Sequence, residues 1–169
     1  MAYTPHTWAT GETITADKLN NIDQALRRAS SGIQAHHLGT QTIAAATQFT
    51  VYMDEARYNQ GDGFTLSSND VKCNHAGIVA VSARLYCASG FTAGDQIILS
   101  IGKNSDIVEH TSYRMKATGG ETIVTKVCLI QVDKGDVIRL KAQNMTGGRG
   151  VVGSTAGSHA NSLTAHYLA

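Results

Sequence analysis

The 169-residue chain is the size of one globular domain with a short extension. Its formal charge is +1 and its lysines and arginines are spread along it, which excludes binding to nucleic acid or an anionic membrane by bulk charge. No apolar run approaches the roughly 18–20 residues of a membrane span, and the polar start MAYTPHTWATGE lacks the basic and apolar regions of a secretory signal, so a chain kept in a cytoplasm with reduced cysteines is expected.

The first periodic segment is TADKLNNIDQALRRASSGI. In it Leu19, Ile22, Leu26, Ala29 and Ile33 alternate steps of three and four, the a/d seam of a heptad pattern. Thr15 suits the N-cap, Asp17 falls in the first turn, and Arg27 and Arg28 lie toward the last, each matching the helix dipole. Ser30, Ser31 and Gly32 stop the helix. At about four turns it is marginal alone in water, so it needs a partner surface. That surface is either the body of its own chain or copies of itself around an axis, and the seam does not choose between them.

From Thr47 onward the pattern changes to period two, in short runs rich in Val, Ile, Thr and Tyr. Strands are expected at 47–53, 69–73, 77–87, 95–103, 107–115, 121–132, 136–144 and 161–169, separated by turn clusters such as NQGDG, KNSD, ATGG, DKGD and TGGRG. The single proline, Pro5, lies outside all of them. The division is therefore an N-terminal segment with helix and linker over 1–46 and an all-β head over 47–169, a sandwich of about eight strands. Cys87 and Cys128 fall within strands, where a free thiol acts as a small apolar core group.

No catalytic motif is present: there is no GxSxG, HExxH or GxxxxGK[ST], and TGGRGVVG lacks the phosphate-site lysine. The seven histidines include no pair at zinc-site spacing, so no metal, cofactor or enzymatic activity is expected. Adjacent His36 and His37, brought together on a threefold axis, are the one arrangement that would suit a transition metal. Binding residues concentrate on loops held by a rigid scaffold. Two loops stand out, 87–95 with Phe91 and 144–161 with Arg149 and His159, and these three residues are the candidate receptor contacts.

The order RYNQGDGF, VKCNHAGIVAVSARLY, GGETIVTKVCLIQVDKGDVIRLKAQ and NSLTAHYLA resembles the jelly-roll head shared by complement globular domains and tumour-necrosis-factor ligands. The positions that carry the likeness are Tyr58, Asn59, Gly63, Phe64, Gly77, Leu129, Gly135, Asp136, Tyr167 and Leu168. Val79 and Val81 stand where that family usually has an aromatic, and no collagen-like stalk is present. The resemblance implies a homotrimer, within which three weak helices have a high effective concentration for one another. The N-terminus YTPHTWATGETITADKLNNID, through Trp8, Gly11, Glu12, Ile14, Thr15, Ala16, Lys18, Leu19, Asn20 and Ile22, is similar to the opening of bacteriophage tail, baseplate and head-fibre proteins. That likeness implies attachment to other virion proteins through Trp8, Gly11, Glu12 and Ile14, and assembly in the host cytoplasm.

The expected function is a non-enzymatic virion protein, a trimeric fibre or receptor-binding subunit that recognises a host-surface saccharide or protein. The alternatives are a capsid or tail decoration (head-fibre) protein without a receptor, and a fibre that degrades surface polysaccharide.

Overall fold

The computed structural model describes residues 7, 9–44, 46–146, 150–153 and 161–168. Among these are one helix, α1 (Ala16–Ala29), and thirteen strands. The strands are β1 (Gly32–His37), β2 (Gln41–Ile43), β3 (Gln48–Val51), β4 (Glu55–Gln60), β5 (Phe64–Ser67), β6 (Asp70–Cys73) and β7 (Gly77–Ser89). They continue with β8 (Gln96–Lys103), β9 (Asp106–Arg114), β10 (Thr122–Val132), β11 (Val137–Asn144), β12 (Gly150–Val152) and β13 (Asn161–Tyr167).

All strand pairs are antiparallel and form two sheets. The seven-stranded sheet runs β2-β12-β7-β13-β1-β4, with β10 along the other edge of β7; the six-stranded sheet runs β5-β6-β11-β8-β9, with β3 also on β11. Alternation puts one side chain in two between them. Val79, Val81, Ala83 and Leu85 of β7 and Leu163 and Ala165 of β13 meet Ile97, Leu99 and Ile101 of β8 and Ile138 and Leu140 of β11, all buried. Each large aliphatic side chain so placed contributes about 1.5–3 kcal/mol relative to exposure.

The eight expected strands are all present within a few residues of their ends, but five more were not expected: β1, β2, β4, β5 and β12. β4 is exposed at all six residues, so it has no buried face for a pattern to reveal. β1 and β12 take their places from partners far away in sequence, Gly32 opposite His166 and Val152 opposite Cys87. The expected boundary at residue 46 is therefore corrected: β1 lies inside the large sheet between β13 and β4, and the head begins at Gly32. The loop expected over 144–161 likewise contains β12.

Cys73 and Cys87 are buried core residues, and burial pushes both thiols up to about 12. Cys128 is half-buried on β10, its thiol also raised by burial. No helix among the described residues is long and apolar enough to cross a membrane.

Candidate functional site

The helix forms as its residues dictate. Thr15 caps it, its hydroxyl accepting from the Lys18 N–H at 3.4 Å, with Asp17 in the first turn and Arg27 and Arg28 in the last. It ends at Ser30, whose N–H reaches the carbonyl of Leu26 at 3.0 Å. No residue of α1 is buried. Lys18, Ile22, Ala25 and Arg28 are partly covered, while Leu19 and Leu26 remain 54% and 64% exposed and Ala29 is exposed. Ile33, expected to extend the seam, is instead fully buried in β1, because the chain has already turned into the sheet at Gly32.

That turn is held by Ser31, which is 1% exposed. Its hydroxyl donates to the Arg27 carbonyl at 2.6 Å and accepts from the Gly63 N–H at 3.2 Å, and its carbonyl accepts from the Tyr167 N–H at 3.2 Å. The Tyr167 hydroxyl donates to the His75 carbonyl at 2.6 Å, and its ring stacks on Phe64 with centroids 4.7 Å apart. Gly61 has φ +74° and packs so tightly that a Cβ there would sit 2.3 Å from Ser31 Oγ. The helix thus leaves the head from the end where the 61–63, 74–76 and 133–136 turns gather. Beside the junction is a cleft of about 480 Å³ lined by Gln24, Arg28, Asp62, His75, Ala76 and Lys134.

Upstream, Trp8 lies outside the described residues. Glu12 accepts from the Ala9 N–H at 3.0 Å and pairs with Lys18, Gly11 has φ +83°, and Ile14 is 57% exposed.

The second surface is the outer face of the large sheet. On β10, Ile123, Val127 and Leu129 are 45%, 67% and 65% exposed, and Ile78 on β7 is 47% exposed. Register places Val127 opposite Ser82 and Leu129 opposite Ala80, so these apolar groups line one edge of a face whose centre is small and polar. Further across, Tyr58 and His166 bring their rings to 6.3 Å, with His166 over Gly32. β10 lies alongside β9, the last strand of the other sheet, where Lys126 pairs with Glu109 at 3.2 Å. The His110 N–H and then Lys126 hold the Glu109 carboxyl below the usual range. Beside them Ile107 and Val108 are also exposed. Exposed apolar side chains gathered on one sheet face are the kind of surface on which proteins associate. The sequence carried a signal for it, since IVTKVCLIQV is apolar on both faces where a half-solvated strand would alternate strictly.

Of the three candidate receptor contacts, Phe91 alone lies among the described residues. Phe91 is 1% exposed, a core residue instead of a loop tip, because its ring packs against the backbone of Gly150. Arg149 and His159 lie outside the described residues; the strand ends that flank them, Asn144, Gly150 and Asn161, are at the end of the sandwich opposite α1. His36 is 6% exposed, with Nε2 at 3.3 Å from Glu55 and no hydrogen-bond partner on Nδ1 among the described residues, while His37 Nδ1 is 2.9 Å from Asp54. Among the described residues no three His, Cys, Asp or Glu side chains are grouped to hold a metal ion.

No protein-family model and no curated protein matches the sequence. Solved structures do match. Murine APRIL in crystals at pH 5.0 aligns with a TM-score of 0.60 and 10% identity, covering 80% of this chain and 98% of that one. The globular domain of zebrafish complement 1qA protein gives 0.54 and 10%, over 83% and 98%. The vertex protein P5 of PRD1 gives 0.57 and 12%, over 82% and 73%. At these identities the likeness shows the fold: this chain has the jelly roll of the tumour-necrosis-factor-like and complement globular-head type.

Proposed function

We propose that this chain is a non-enzymatic bacteriophage virion protein, a homotrimeric fibre or receptor-binding subunit. The observation that carries the trimer is the outward apolar row Ile123, Val127 and Leu129 beside Ile78, an exposed edge that a monomer leaves in water. The jelly-roll fold is in keeping with it, and the likeness to a vertex protein favours a virion setting. The segment before Gly32 attaches to other virion proteins through Trp8, Gly11, Glu12 and Ile14, and Leu19, Ile22, Leu26 and Ala29 form a helix seam between copies. The head projects outward, with Arg149 and His159 as the remaining candidate contacts for a host-surface saccharide or protein.

Light scattering of the purified chain tests the assembly: three times the 17.9 kDa chain mass is expected, and a species near 17.9 kDa at every concentration overturns it. A host-cell and glycan binding assay tests recognition. Binding lost on surface-deficient hosts supports a receptor, whereas attachment to particles without host binding makes the chain a decoration protein.

A further inference from the structure

The α1 seam is flanked by opposite charges at the spacing that joins neighbouring helices. With Leu19 and Leu26 at a and Ile22 and Ala29 at d, Lys18 falls at g and Asp23 at the e position of the next heptad. In parallel, in-register helices, a g side chain meets that e side chain of the adjacent helix. An antiparallel pair would set e against e and g against g and lose the complementarity.

We propose that α1 associates with the α1 helices of two further copies, parallel and in register, with Lys18 of each helix against Asp23 of the next. This deepens the trimer reading and rests on it. The occupant of the seam is a second copy of the same chain because its own charges complete it. The Ser31 junction adds a second argument: each helix leaves the same end of its head, so around a threefold axis the helices emerge together and run parallel. Within one chain Lys18 pairs with Glu12, and Asp23 accepts from Arg27 Nε at 2.7 Å. Asp23 and Arg27 are 60% and 66% exposed, so that pair is screened and exchanges readily for a partner on another helix, whereas the Lys18–Glu12 pair, 30% and 22% exposed, must open before Lys18 reaches one.

The test uses the full chain and measures the concentration at which the trimer half-dissociates in low salt. Lys18→Asp and Asp23→Lys each raise it about tenfold by setting like charges against each other three times over, and the double exchange restores it to within about twofold. As a direct readout, Leu19→Cys in a Cys128→Ser background forms covalent dimers through like positions on oxidation, which an antiparallel arrangement does not allow. A trimer that is indifferent to the exchanges and gives no cross-link overturns this arrangement and leaves the trimer standing. A monomer at every concentration overturns the trimer reading itself.

Discussion

The ring of Phe91 lies directly over the α-carbon of Gly150, where an added methyl group would be 2.1 Å from Cε1. The contact pins β12 between β2 and β7 at the end of the sandwich farthest from the helix. Gly150→Ala should destabilise the head by about 1–3 kcal/mol through overpacking. Phe91→Ala should cost about 3–5 kcal/mol through the cavity left behind. Urea unfolding measures both, and host binding by Phe91→Ala should fall only in proportion to the folded fraction; a loss of binding at full folding would restore Phe91 as a contact.

Leu26 is 64% exposed, so Leu26→Asp should leave the unfolding of the head within about 0.5 kcal/mol of the parent. It should nevertheless weaken the oligomer, since a charge would then be buried in an apolar seam. Denaturation followed by circular dichroism separates the two effects from light scattering. An oligomer as stable as the parent would show that the seam is not an interface.

Val127 and Leu129 point outward from β10, and replacing both by Asp touches no core residue. The expected result is a folded protein whose mass drops from the trimer to the 17.9 kDa chain. If the double variant keeps the parental mass, the sheet face is not where copies meet.

Asp136 closes the turn between β10 and β11. Its carboxylate accepts from the Asp133 N–H at 2.8 Å and from the Asn104 side chain at 2.8 Å, and these bonds hold its pKa below the usual range. A lowered folded value means that the contribution is complete at neutral pH and is lost as the pH falls through that value. Asp136→Ala should therefore cost about 1–2 kcal/mol at pH 7 and much less in strong acid. Equal destabilisation at pH 7 and pH 2 would assign the loss to the turn backbone instead of the charge.

The parts of the fold legible in the sequence are those whose cause is local. Alternation in β7 and β11 marks strands because side chains there point by turns into and away from the core, and the turn at Gly135 announces itself because φ of +96° favours glycine. α1 was legible over its caps and its three-four spacing. Ile33 shows where that reading fails: its spacing continues the heptad, but the chain has already entered a sheet whose partner, β13, is more than a hundred residues away.

By itself, then, the sequence determined an all-β head preceded by a short capped helix with an apolar stripe, since helix caps, turns and side-chain period depend only on neighbours along the chain. The tertiary structure alone decided that β1 and β12 are strands, that Phe91 is core, and that Ile78, Val127 and Leu129 face outward together. Those outcomes depend on which distant strands pair and in which register, a choice made by the collective burial of both sheets and not by any one segment.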